Sequence, residues 1–310
     1  MENKKLVISS SPHLRSPLST QRIMLDVLVA LLPAVIAGIA LFGWRAALVI
    51  AVTTAAAVAS EFIFNLIVKK KQTVSDLSAT VTGVLLGLNL HAAVPLWQCA
   101  IGAAFAIIVV KSLFGGLGCN FANPAIAGRV MLVISFSGTV AGAVLPSDPT
   151  IVTTATPLAN LSADAALPTL TEMLLGNYGG AIGETCSIAL VIGFIYLVVR
   201  KIINFEVPLI FVGTVFVLSL IVENSFSTAL YQILSGGLLL GAIFMATDYV
   251  TTPITRSGKM IFAFGCGLIT YLVRVFGNYP EGVSFAILFM NILSPYIEAW
   301  TRPRALGGKY

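Results

Sequence analysis

The sequence predicts an all-α integral membrane protein of about ten transmembrane helices, arranged as two inverted five-helix repeats with discontinuous helices. Composition is the first reason. Of 310 residues, 57% are hydrophobic and only 10% charged, where soluble domains carry roughly 25% charged residues. The mean hydropathy of +0.96 excludes an ordinary soluble domain. The second reason is a recurrence of apolar runs near the 20 or so residues that cross a bilayer. The third is a pair of shorter, Gly-rich runs, of the kind that become broken helices lining a site.

Regular spans are expected at residues 22–42, 46–68, 95–113, 122–145, 185–203, 206–222 and 259–276. Residues 78–92 and 229–247 are the Gly-rich, discontinuous candidates. The tenth span, 281–299, carries Asn291 and Pro295 in its second half, which predicts a kink. The N-terminal segment has Lys4, Lys5 and Arg15 but no short apolar core followed by a small-residue cleavage site, so the first run is a retained helix.

Lys and Arg mark the cytoplasmic side of a membrane protein. With ten spans, the N-terminal tail, Lys69 to Lys71, Lys111, Arg200 with Lys201, Arg256 with Lys259, and the C-terminal Arg302, Arg304 and Lys309 all fall on one side. No Lys or Arg occurs from Val130 to Val199, whereas Asp148, Asp164, Glu172 and Glu184 do. The long loop is therefore expected outside. The resulting division is a cytoplasmic tail (1–21), a first five-helix repeat (22–145), an extracytoplasmic loop (146–184), a second repeat (185–299) and a cytoplasmic C-terminal tail (300–310). The net charge of +5 sits in these juxtamembrane clusters, which argues for orientation in a lipid bilayer and against nucleic acid.

An internal repeat supports the halves. A Gly- and Asn-rich junction, Phe114 to Pro124, joins the fourth and fifth spans, and Phe276 to Gly282 joins the ninth and tenth. Each follows a Gly-rich run, at Gly83 to Gly87 and Gly236 to Gly241. Five spans per half reverse the topology, so any site belongs near mid-depth between the halves.

Polar residues in apolar runs are the site candidates, because a charge near the bilayer centre costs about 2.5 to 3.5 kcal/mol on insertion scales. Asp26 and Glu61 are read as structural groups near helix ends. Arg129 has two readings, a charge partner for Asp248 and a snorkelling anchor beside Lys111. Asp248 either coordinates a cation or caps a helix end. Asn123, Asn278, Glu281 and Asn291 stand at helix breaks, where polar groups satisfy freed backbone or hold a ligand. Arg274 should face protein, cavity or headgroup. His13 and His91 lie in connections without metal-ligand spacing, and the four cysteines, Cys99, Cys119, Cys186 and Cys266, form no CxxC pair. No metal site is expected. The loop run Thr150 to Thr156 reads as a Thr-rich extended strand or turn whose hydroxyls are chemically open to modification.

The run Thr153-Thr154-Ala155-Thr156-Pro157-Leu158 resembles the S/T-G-A-T flavin-attachment motif of the membrane subunits of Rnf complexes and Na+-pumping NADH:quinone reductases. Gly116 to Asn120 with Asn123-Pro124-Ala125, then Ala246-Thr247-Asp248, and Tyr279 to Ala286 with Met290-Asn291 extend the resemblance over nearly the whole chain. The length fits the D-type subunits of Rnf better than the B-type subunits of the quinone reductase, which usually carry an N-terminal extension. The resemblance implies FMN esterified through its phosphate to Thr156 by a flavin transferase on the outer face. It also implies a second, non-covalent flavin such as riboflavin, with Arg129, Asn123, Asp248 and Glu281 as further cofactor-binding candidates, and partner subunits of the C, G, A, E and B types. The complex would couple ferredoxin and NAD+ oxidoreduction to export of Na+ or H+, from the inner membrane, with both termini cytoplasmic. In this chain Thr154 replaces the Gly of the motif, and the upstream acid expected at Thr150 is displaced to Asp148. Inverted repeats with broken helices also suit a urea-channel-like transporter, which would need no flavin.

Overall fold

The computed structural model describes residues 19–146, 148–153, 158, 168–277 and 282–303. The remainder, which includes Thr156, Asn278 and Glu281 and most of both tails, lies outside the described residues. Helices α1 (Thr20–Phe42) and α2 (Trp44–Ile67) open the fold. They are separated by Gly43, whose φ of 70° permits the tight reversal that a side chain would disfavour. Ser19 caps α1 by accepting the Arg22 N–H. The short α3 (Ser78–Leu88) and α4 (Leu96–Phe105) follow, and α4 continues as a π-helical stretch through Ser112.

The second half of the chain contains α8 (Ser187–Val199), α9 (Glu206–Glu223), α10 (Phe226–Leu234), α11 (Leu238–Met245), α12 (Arg256–Phe276) and α13 (Val283–Thr301). Between the two sets lie α5 (Pro124–Ser135), α6 (Ser137–Val140), the strands β1 (Ala143–Leu145) and β2 (Asp148–Thr153), and α7 (Leu170–Leu175). Strands β1 and β2 form an antiparallel pair.

Among the described residues, five helices are long and apolar enough to cross a membrane: α1, α2, α9, α12 and α13. The pair α10 and α11, bent by 62° at its break, makes a sixth if counted as one span. The α3, α4, α5 and α8 elements are shorter and apolar. The chain is an all-helical multi-pass membrane protein, with its large exposed side chains, among them Ile36, Ile67, Val199, Ile221 and Trp300, suited to lipid.

Several expectations need correction. The 122–145 run is no single helix: α5 stops where Phe136 leaves helical geometry (φ −133°, ψ 45°), and the chain then forms α6 and β1. Helix α13 runs from Val283 to Thr301 with Pro295 inside it, so the expected span is present as one element. The latter part of the loop is no surface connection, because residues 178–185 are buried. The Ile182 N–H donates to Leu90 O (3.0 Å) and that of Gly183 to Leu88 O (2.8 Å), so this segment closes on the end of α3.

Helix packing depends on missing side chains at close approaches. A Cβ at Gly83 of α3 would lie 2.5 Å from Thr54 Cα and 3.0 Å from Thr53 O of α2. Backbone cannot retreat as a flexible side chain can. Gly83→Ala is therefore expected to lower stability by about 1–3 kcal/mol, the usual cost of overpacking, read as earlier thermal unfolding in detergent. An unchanged midpoint would contradict the α2–α3 contact.

Candidate functional site

A cavity of about 780 Å³, counting the part open to solvent, is bounded by α1, α3, α4, the start of α5, and residues 244–250. Its walls are mainly apolar, with Met24, Val81, Leu85, Leu117, Ile203 and Phe244 among them. Ser78, Thr82, Lys111, Asn120, Asn123 and Asp248 add polar groups. Ligand sites combine an apolar body with a few placed polar groups in volumes of about 300–1,000 Å³. Gly115, Gly116 and Gly118 all have positive φ, which shapes the turn that carries Leu117 and Asn120 to the cavity wall.

Asn123 joins the two sets of helices. Its Oδ1 caps α5 by accepting the N–H groups of Ala125 (3.0 Å) and Ile126 (3.4 Å), and its Nδ2 donates to Met245 O at the end of α11 (3.4 Å). Pro124 at the first helical position gives up no needed donor. With the Asn291 amide oriented to satisfy both ends, its oxygen accepts from Asn123 N (3.1 Å) and its nitrogen donates to Thr251 O (3.3 Å). Asp248 lies on the same wall but spends its carboxylate locally: Oδ1 accepts from Val250 N (3.4 Å) and Oδ2 from the Thr251 hydroxyl (3.1 Å). Burial pushes its carboxyl pKa up, while these two hydrogen bonds oppose the shift.

Arg129 is elsewhere. It donates to Asn89 Oδ1 at the end of α3 (2.7 Å), and it is buried, so neither the Asp248 pair nor the snorkelling anchor describes it. Its charge interacts with Glu184, as does that of Arg274. These three groups surround the break between α10 and α11. A Cβ at Gly237 would stand 2.7 Å from Glu184 Oε2 and 3.8 Å from Arg129 Nη1. Arg274 closes the end of α10 by donating to the carbonyls of Gln232 (2.5 Å), Ser235 (3.0 Å) and Gly236 (3.2 Å). Gly236 and Gly237, at φ 69° and 65°, make the break. The Leu158 side chain packs against Gly236, which ties the motif-bearing loop to the broken helix.

A buried ion pair was not anticipated. Lys111 Nζ lies 2.8 Å from Glu61 Oε1, with both side chains 3% exposed. Lys111 is therefore no cytoplasmic surface marker. Asp26 has the structural role expected of it, accepting from Tyr196 OH (2.9 Å) and pairing with Arg200 (3.1 Å). His91 is buried, with neither ring nitrogen in hydrogen-bonding geometry with a partner among the described residues. Glu61 was expected as a structural group near a helix end; nothing in the spacing joined it to a lysine 50 positions away.

The architecture is that of a polytopic membrane protein whose interrupted helices enclose an internal cavity. The chain belongs to the NQR2, RnfD, RnfE family, whose model matches residues 7–307. It is 44% identical over 312 residues, covering 99% of this chain and 97% of the relative, to the D subunit of the Na+-translocating ferredoxin:NAD+ oxidoreductase complex of Acetobacterium woodii. It is 40% identical to the D subunit of the proton-translocating ferredoxin:NAD+ oxidoreductase complex of Clostridium ljungdahlii, covering 97% of this chain and 96% of that one. The D subunit of the ion-translocating oxidoreductase complex of Stutzerimonas stutzeri is 38% identical, with 93% and 92% covered.

Proposed function

We propose that this chain is the D-type membrane subunit of an Rnf complex that couples ferredoxin:NAD+ oxidoreduction to translocation of Na+ or H+. It would carry FMN on Thr156 and a second, non-covalent flavin in the large cavity. The observation that carries the reading is likeness over essentially the full length to the D subunits of two such complexes. That weighs for the D type over the B-type component of the quinone reductase and over a flavin-free channel.

Inverted repeats gain support from the packing. Counting α10 with α11 as one element, α1 and α8 open their halves and pack on each other; α5 and α13 close them and also meet. Such like-with-like contacts are what a pseudo-two-fold axis in the membrane plane requires. The basic clusters on one side favour cytoplasmic termini and an outer 146–184 loop.

Where bound, a flavin supplies one- and two-electron transfer through its isoalloxazine ring. The cavity suits such a ring: apolar walls for its faces, and Asn120 and Lys111 for its polar edge. Within the loop, strand β2 ends at Thr153, three residues before the proposed attachment point. The chain holds no cluster-type cysteine motif, so ferredoxin and NAD+ would be handled by the other subunits.

A denaturing gel of the chain, expressed with its transferase, should give a fluorescent band at its own mass. A dark band would remove the covalent flavin and favour the channel. Asp248→Asn is expected to leave ion transport intact, because the carboxylate serves its own turn and an amide oxygen can replace an acceptor. Loss of transport with electron transfer preserved would instead make Asp248 a cation ligand.

A further inference from the structure

We propose that Lys111 is a binding residue for the occupant of the large cavity, donating a hydrogen bond to an acceptor atom on the edge of a planar heteroaromatic ring, a carbonyl oxygen or a ring nitrogen. The proposal deepens the second-flavin reading and rests on it.

The polar groups on the cavity wall are largely committed. Asn123 Oδ1 caps α5 and its Nδ2 reaches Met245 O. Both Asp248 oxygens hold their own turn. The Thr82 hydroxyl donates to Ser78 O (3.0 Å) and that of Thr247 to Ile243 O (2.6 Å). An ammonium has three hydrogens. Lys111 gives one to Glu61 Oε1 (2.8 Å) and one to Ser78 Oγ (2.5 Å), and it makes no third hydrogen bond among the described residues. Lys111 is thus the cation on this wall with a donor to spare.

Its position is built rather than incidental. Lys111 lies in the π-helical stretch that ends α4, where the Gly116 N–H reaches back five residues to Lys111 O (3.0 Å). Such π-segments recur at functional sites, because the wide turn re-aims side chains. Glu61 is held by the Thr73 hydroxyl (2.7 Å), itself bonded by Asn65 Nδ2 (3.0 Å). Ser78 is fixed through its N–H (2.8 Å) and hydroxyl (2.5 Å) to Asp76 Oδ1. The ammonium is therefore pointed by two acceptors that are each anchored. A well-packed apolar pair would stabilise this interior at least as well as a buried ion pair. A charge kept here at that disadvantage fits a recognition role.

The test is riboflavin binding by the full chain in detergent, stripped of non-covalent flavin and titrated by fluorescence quenching. Lys111→Met combined with Glu61→Gln removes the donor without leaving a lone charge. The wild type should bind, and the double variant should bind roughly tenfold to hundredfold more weakly, the range for a hydrogen bond from a charged donor. Covalent flavin on a denaturing gel should be unchanged. Equal affinity in the two proteins overturns the role of Lys111 and leaves the second-flavin reading standing. No binding by the wild type overturns both. If the double variant does not fold, Lys111→Arg reads the same contact through the absorption bands of bound riboflavin. A change of donor shifts them, and identical bands overturn the proposal.

Discussion

Thr156→Val should abolish the covalent flavin while leaving the chain folded and membrane-inserted. Valine keeps the shape of threonine and lacks only the hydroxyl, and the ester proposed here needs that oxygen. The expected result is all or none: a dark band for the variant beside a fluorescent wild type at equal protein load. Thr153→Val and Thr154→Val are the necessary companions. Thr153 ends β2, where its backbone pairs with Ala143, so its substitution tests whether the strand positions the motif or supplies the attachment. Fluorescence that survives in Thr156→Val and disappears in Thr153→Val or Thr154→Val would move the attachment site. Fluorescence surviving in all three would remove this motif from consideration. A band weaker than that of the wild type in Asp148→Asn would show that the displaced acid takes part in recognition by the transferase.

Much of the helical frame could be read from the sequence because lipid imposes one rule on every spanning segment: apolar outside and internally hydrogen-bonded. That rule places α1, α2, α9 and α12 within about three residues at either end of the expected runs. It also made the Ser235-Gly236-Gly237 break legible, because only glycine adopts left-handed φ at two successive positions at little cost. The rule says nothing about where an apolar run changes conformation. Phe136 and β1 belong to a segment as hydrophobic as a helix, and β1 takes its geometry from pairing with β2 rather than from polarity. The buried 178–185 segment was hidden for a different reason. Its glycines read as loop, yet they are what lets backbone approach the end of α3: a Cβ at Gly183 would meet Leu88 Cβ at 2.6 Å.

The candidate site was legible one residue at a time and not as an assembly. Asn123-Pro124 announces a helix start with a side-chain cap, and that local signal is correct. Arg129 was visibly out of place in an apolar run, but its partners, Asn89 and Glu184, come from segments some 40 and 55 residues distant. Charge complementarity alone could not choose between Glu184 and Asp248. The same holds for Lys111, which lies close enough to Arg200, Lys201 and the basic tail in topological order to pass for an orientation signal.

The Glu61–Lys111 pair sets the second large effect. Removing one partner of a buried ion pair typically costs about 3–5 kcal/mol, because the other charge remains desolvated without compensation. That is a large part of the roughly 5–15 kcal/mol that holds a typical protein folded. Lys111→Met alone should therefore accumulate poorly in the membrane and unfold early in detergent. Adding Glu61→Gln should restore most of the loss, since the amide can still accept from the Thr73 hydroxyl while carrying no charge. The coupling between the two substitutions, measured as a double-mutant cycle on thermal unfolding, should be several kcal/mol and favourable. Additive effects would mean that the two charges do not depend on each other in the membrane, and the ammonium would then lack the fixed counter-ion that aims it at the cavity. A strong coupling with riboflavin affinity unchanged would leave the pair as a structural clasp between α2 and α4. Strong coupling together with weakened riboflavin binding would make Glu61 the group that keeps a cation available, inside an apolar fold, for the ring in the cavity.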